Sequence, residues 1–124
     1  MPFIAADTAP SFELHGAAFT GLASPTRGST ENSVWLVALS DTGQAVPHTL
    51  TREETLVCIE GRALARLGDE AHELTPGSAL VIPAGVEFSI CNPDRAPFRA
   101  VAVLPVGGQA EIAGQPAFTP AWAR

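Results

Sequence analysis

Along most of its length the chain alternates short apolar runs with polar or turn-forming residues. Eight segments have strand length, and most are rich in Val, Ile, Leu or Phe: residues 34–39, 45–50, 55–60, 63–67, 72–74, 79–82, 87–91 and 98–104. Between them lie turn formers, among them Asp41-Thr42-Gly43, Glu60-Gly61-Arg62, Gly68-Asp69, Thr75-Pro76-Gly77 and Pro83-Ala84-Gly85. No long window free of Gly and Pro sustains a 3.6-residue apolar period, so the pattern predicts an all-β sandwich or barrel and gives a long helix no home. Residues 52–56 could make one turn of helix, but the composition around them favours strand. Residues 1–33 are the least regular part, with Phe12, Leu14, Phe19 and Leu22 as anchors for an N-terminal strand or arm. Residues 34–106 carry the barrel. Residues 107–124 form a tail whose Trp122 is expected to lie back on the body.

Composition narrows the function classes. At 124 residues with 46% hydrophobic content, the chain is one domain able to bury a sizeable core. A net charge of −6 repels phosphate backbones and anionic lipid, which predicts no nucleic-acid and no membrane partner. No segment approaches the roughly 20 apolar residues of a membrane span, and residues 1–10 lack a basic stretch followed by an apolar run. The expectation is a soluble, cytoplasmic protein. Cys58 and Cys91 are too far apart for a CxxC pair and read as small thiols in a reducing cytosol. All seven basic residues are arginines and there is no tyrosine, so Schiff-base chemistry on a lysine and acid catalysis by a phenol are both excluded. Alanine richness with arginine as the sole permanent base suggests a high-GC bacterial source.

Two stretches carry a family resemblance. The first, His48-Thr49-Leu50-Thr51-Arg52-Glu53-Glu54-Thr55-Leu56-Val57-Cys58-Ile59-Glu60-Gly61, resembles the first cupin motif, with His48 at its first histidine, Glu54 at its glutamate and Gly61 at its closing glycine. Leu50 stands where that motif has a second histidine, and Gly43 lies one residue closer to His48 than the pattern asks. The second stretch, Gly77 to Asn92, resembles the second motif: Gly77, Pro83, Gly85 and Asn92 fall in register, Phe88 replaces the histidine and Ser78 an aspartate. Fifteen residues, Arg62 to Pro76, separate the motifs, as in small single-domain cupins. The resemblance implies a cupin-type antiparallel β-barrel, a double-stranded β-helix or jelly roll, in which the glycines and proline are corner residues. Metal-binding cupins hold iron, manganese, zinc, nickel or copper with three histidines and a glutamate. Only His48 and Glu54 match here, so the expectation is no complete metal site and no cofactor, with His48 and Glu54 the residual ligands if any metal binds.

Read as residues, His48 and Glu54 are either a structural pair, the carboxylate held by the histidine or an arginine, or a general acid and base. His15 and His72 are the remaining histidines. Either could supply a third ligand by folding back, although His72, within Glu70-Ala71-His72-Glu73, reads more simply as a hairpin edge. Period-two alternation from Glu54 places Leu56 and Cys58 on its face and Thr55, Val57 and Ile59 on the other. With Leu50 and Phe88 these predict an apolar pocket, Arg52 being a candidate to grip an anionic end. Trp35 belongs to the wall or to an intersubunit face.

Three functions follow from that pocket. The first is a binding module or sensor for an uncharged or mildly anionic organic molecule, its apolar body against Leu50, Leu56 and Phe88 and its polar end at His48. The second is a metal-independent isomerase, epimerase, cyclase or lyase using His48 and Glu54. The third is a metal enzyme, such as a dioxygenase, with a rebuilt ligand set. Exposed sheet edges predict a homodimer.

Overall fold

The structure is a computed structural model that describes residues 2–40 and 46–124. The turn Asp41-Thr42-Gly43 and the first residue of the expected strand 45–50 lie outside the described residues. Eleven strands are present among those described: β1 (Ser11–Leu14), β2 (Ala17–Ala23), β3 (Asn32–Leu39), β4 (Thr49–Leu50), β5 (Glu54–Glu60), β6 (Ala63–Leu67), β7 (Glu70–Leu74), β8 (Ala79–Ile82), β9 (Phe88–Cys91), β10 (Phe98–Pro105) and β11 (Ala110–Glu111). Among the described residues no helix longer than a 3-10 turn interrupts them. No helix is long and apolar enough to cross a membrane among the described residues.

The strands build an antiparallel six-stranded sheet in the order β1-β2-β3-β10-β5-β8, a three-stranded sheet β7-β6-β9, and the pair β11-β4. An isolated bridge between His48 and Phe88 couples the entrance of β4 to β9, joining the two smaller groups into one layer. Both layers turn one face to a shared core. From the large sheet come Trp35, Val37, Leu56, Ala100, Ala102 and Leu104, and from the other Leu50, Ala63, Ala65, Leu74 and Phe88. This is the all-β antiparallel barrel that the sequence implied.

The apolar alternation explains which face turns in. In β10, buried Phe98, Ala100, Ala102 and Leu104 alternate with less buried Arg99, Val101 and Val103. The strand 45–50 is corrected to the two residues of β4 plus the His48 bridge, because Pro47 has no N–H to give a ladder. Residues 52–56 are neither helix nor wholly strand: Thr51 and Arg52 bend, and β5 begins at Glu54.

The N-terminal segment adds more than an arm. β1 and β2 form a hairpin whose two-residue turn, His15 and Gly16, has both φ angles in the left-handed region at 53° and 78°. That is the geometry of a tight primed turn, and β2 then extends the sheet along β3. The tail is likewise built in: β11 pairs with β4, Ala110 bridges Phe118, and the Ser33 hydroxyl donates to the Ala123 carbonyl at 2.7 Å.

Candidate functional site

Alternation along β5 sets the first part of the site. Glu54, Leu56 and Cys58 are buried on the inward face, whereas Thr55 and Val57 are half-buried and Ile59 is exposed. The second part comes from the link between β4 and β9. The His48 N–H donates to the Phe88 carbonyl at 3.0 Å, and the Phe88 N–H returns the bond at 2.8 Å. Leu50 follows two residues after His48, so it shares its face. The result is one cavity of about 140 Å³ onto which His48, Leu50, Glu54, Leu56 and Phe88 all open.

Aromatic rings make much of the remaining wall. Phe19, Trp35, Phe118 and Trp122 line the cavity together with Phe88. Trp122 stacks on Phe19 with ring centroids 3.7 Å apart and planes 2° from parallel, and meets Trp35 at an angle of 60°. These contacts explain why the tail closes over the body: the indole replaces water over apolar surface that β2 and β3 would otherwise expose.

The polar groups of the site are few. His48 holds its Nδ1 3.0 Å from the Val46 carbonyl. A carbonyl only accepts, so Nδ1 carries the proton, and in the neutral ring Nε2 keeps the lone pair. Glu54 is 6% exposed, and its carboxyl has no hydrogen-bond or ion-pair partner among the described residues. Burial alone pushes its pKa up to about 8. At neutral pH the group is therefore mainly a carboxylic acid, able to donate a hydrogen bond into the cavity. No hydrogen bond joins His48 to Glu54, so the structural pairing considered from sequence is not what holds either side chain.

The other sequence-singled residues divide clearly. Leu50, Leu56 and Phe88 are buried and line the cavity. Arg52 does not: it is exposed on the bend before β5 and lies outside the cavity wall, because the two residues before Glu54 are not yet extended strand. Cys58 is on the inward face but also outside the wall. Its thiol lies 3.7 Å from the carbonyls of Glu60 and Gly61, to which it can donate, and burial pushes its pKa up, against a smaller lowering effect of a backbone hydrogen bond at Glu60. His15 borders the cavity from the hairpin turn, while His72 is exposed at β7 and meets Glu70 at 2.8 Å. Trp35 is part of the wall. Phe19, Phe118 and Trp122 were not identified from sequence as site residues. The signal that could have found them is the concentration of aromatics in both termini outside the motif region.

The corner residues of the second stretch are placed by backbone demands. Gly85 has φ 78° and its N–H bonds the Leu50 carbonyl at 2.9 Å, which ties the Pro83-Ala84-Gly85 corner to β4. Asn92 donates to the carbonyls of Leu39 and Ala96 and accepts from the Asp94 N–H, fixing the chain between β9 and β10.

Two antiparallel layers closing on an internal cavity, with Gly, Pro and Asn corners at these places, define a small jelly-roll barrel. The model of the cupin domain matches residues 35–104, more than half of the chain. The chain belongs to the cupin family. Among curated proteins none matches the sequence. Among solved structures it resembles the polyketide cyclase RemF from Streptomyces resistomycificus, with TM-score 0.80 and 18% identity over 94% of this chain and 87% of that one. It also resembles a cupin-superfamily sugar phosphate isomerase from Silicibacter pomeroyi, with TM-score 0.74 and 18% identity over 92% and 83%. A third likeness is to a variant of Streptomyces PAC13 with uridine, with TM-score 0.67 and 15% identity over 83% and 79%. At these identities the likeness is one of fold.

The metal that many cupins hold can be tested against the donors present. Leu50 and Phe88, 3% exposed each, occupy two of the four motif positions and have no lone pair to offer. Among the described residues no three His, Cys, Asp or Glu side chains converge as a metal ion requires. The residues present do not fit the four-ligand centre of the family.

Proposed function

We propose that this cupin binds a small organic molecule inside its barrel, with the molecule's apolar body against Leu50, Leu56 and Phe88 and its polar end directed to His48 and Glu54. The observation that carries the reading is the cavity itself: a mostly apolar wall with a few polar side chains, His48 and Glu54 among them, is the usual make-up of a small-molecule site. Its volume of about 140 Å³ compares with an engineered apolar cavity of about 150 Å³ that stays dry and binds benzene. The test is binding of the neutral apolar dye N-phenyl-1-naphthylamine, followed by fluorescence. Enhancement is expected with the native protein and a weaker affinity with Leu50→His/Phe88→His. Unchanged affinity in that variant would place the site outside the barrel.

A second reading, metal-independent proton transfer, is favoured by one observation. Glu54 is a buried acid with pKa about 8, and His48 has a free Nε2 on the same cavity. Two of the fold relatives are named for a cyclase and an isomerase, reactions that move protons. Exchange of α-hydrogens of a bound ketone with D₂O, lost in Glu54→Gln and His48→Ala, would support it. Exchange equal to buffer in the native protein would remove it.

Homodimer assembly is part of the first proposal. β8 ends the large sheet with an uncovered edge and Val81 48% exposed. A monomer at micromolar concentration in sedimentation would count against it.

A further inference from the structure

The chain places its rings unevenly. It has six phenylalanines and two tryptophans, and five of these eight side chains, Phe19, Trp35, Phe88, Phe118 and Trp122, line the cavity described above. They come from β2, β3, β9 and the tail, four separate parts of the chain, so no local sequence bias accounts for their meeting. The rings are also held at differing angles: Trp122 is parallel to Phe19 but 60° from Trp35, and Phe88 lies 75° from the His48 ring at 5.2 Å. Such a wall offers both faces and edges. A flat ring entering it finds offset-stacked and edge-on partners together, which a saturated ring cannot exploit.

The polar inventory limits the charge of the occupant. All seven arginines lie outside the cavity wall, so no permanent positive charge faces an anion there. The titratable side chains on the wall are His15, His48, Glu54 and Cys91. β8 and β10, which flank Glu54, turn only apolar side chains inward, Leu80 and Ile82 from the one and Phe98, Ala100, Ala102 and Leu104 from the other. A phosphate or carboxylate would therefore enter without a countercharge and beside an acid. The Trp122 indole Nε1 is buried without a hydrogen-bond partner among the described residues, so a second donor is unclaimed near the stacked pair.

We propose, resting on the small-molecule reading above, that the cavity selects an uncharged flat aromatic ketone or a comparable ring-bearing carbonyl compound. Its carbonyl oxygen accepts a hydrogen bond from the Glu54 carboxylic acid, and its ring lies among Trp35, Phe88, Phe118 and Trp122. A carbonyl suits both ends of the arrangement, because it accepts from Glu54 and asks for no charge. The raised pKa of Glu54 is consistent with this, since the acid form is the one that donates.

The experiment uses the two indole N–H signals of the ¹⁵N-labelled native protein, because both tryptophans of the chain line the cavity. Three probes of one-ring size are titrated at pH 7: acetophenone, cyclohexyl methyl ketone and benzoate. Acetophenone is expected to shift the indole signals with an affinity at least about fivefold above cyclohexyl methyl ketone, from ring contacts. Benzoate is expected to bind more weakly than either. Between pH 7 and pH 9 acetophenone affinity should fall roughly tenfold as Glu54 ionises. In Glu54→Gln, whose amide donates but does not titrate, that fall should disappear even if absolute affinity drops, which separates Glu54 from His15, His48 and Cys91. Equal binding of the saturated ketone overturns the aromatic part, and benzoate binding as tightly as acetophenone overturns the selection against charge. A pH fall that persists in Glu54→Gln overturns the role of Glu54. If no probe shifts either indole, the small-molecule reading of the cavity fails with it.

Discussion

His48 and Phe88 face each other as a backbone-bonded pair, exchanging two hydrogen bonds of 3.0 and 2.8 Å while their rings meet edge to face at 5.2 Å. The pairing matters because these are corresponding positions of the two motifs, one still a histidine and the other not. Position 88 is thus already aimed at the ring of position 48, and Leu50 opens on the same cavity.

Geometry for a metal is therefore present without the donors. Leu50→His/Phe88→His should bind Zn²⁺, Ni²⁺ or Co²⁺ through the two new imidazoles, His48 and Glu54, at least about a hundredfold more tightly than the native chain. Isothermal titration in a non-chelating buffer reads this directly. Each single variant should gain much less, because three ligands including a carboxyl that must ionise make a poorer site. A double variant with no gain would mean that the two positions do not converge as the pairing implies.

Glu54 should make stability depend on pH in a direction opposite to that of a salt-bridged carboxylate. Its folded pKa of about 8 lies above the unfolded value of 4.5. Below pH 4.5 both states hold the proton and the group contributes no pH dependence. As pH rises from 4.5 to 8 the unfolded chain sheds the proton first, so stability falls across that window and levels off above it. The whole effect is on the order of 3–5 kcal/mol at 25 °C. Urea unfolding between pH 4.5 and pH 8 should show this decline for the native chain. Glu54→Gln should flatten it, and a native slope matched by the variant would assign the decline to other groups.

The two kinds of corner glycine should respond differently to alanine. Gly61 and Gly85 share φ 78°, a left-handed value that costs an alanine about 1 kcal/mol at either place. At Gly85 an added Cβ meets nothing, whereas at Gly61 it would collide with the Pro97 carbonyl oxygen and backbone. Gly85→Ala should thus fold with a small loss in thermal midpoint. Gly61→Ala should lose several kcal/mol or fail to fold. Similar midpoints for the two variants would show that the segment around Pro97 yields more easily than its position suggests.

What the sequence made legible were features set by local rules. Gly61, Gly77 and Gly85 mark corners because their positive φ demands glycine, and the inward face of β5 followed from a period of two counted from Glu54. Features that depend on distant partners stayed hidden. The β1-β2 turn uses His15 where an Asn-Gly or Asp-Gly pair would have announced a hairpin. β11 is two residues long and exists only because β4 is beside it. Arg52 lies outside the cavity because Thr51 and Arg52 bend before β5 begins, a departure that composition alone does not announce. The Trp122 contact with Phe19 spans nearly the whole chain, and no pattern in either terminus specifies the other.

That last contact supports a prediction about the tail. Trp122 lies parallel on Phe19 and tilted against Phe12 and Trp35, and the following residue is held by the Ser33 hydroxyl through its carbonyl. Removing the indole exposes apolar surface of Phe19 and Trp35 and removes one wall of the cavity, whereas removing the hydroxyl leaves the wall in place. Trp122→Ala should cost about 2–4 kcal/mol through lost burial and stacking, and Ser33→Ala about 1–2 kcal/mol through the carbonyl left without its donor. The two variants should separate in binding. Dye or ketone affinity should fall sharply in Trp122→Ala and change little in Ser33→Ala once each is measured well below its unfolding temperature. Equal affinities in the two would mean that the tail merely caps the sheet. A loss confined to Trp122→Ala, with the Trp35 indole signal still dispersed, would show that the C-terminal ring is part of the binding surface.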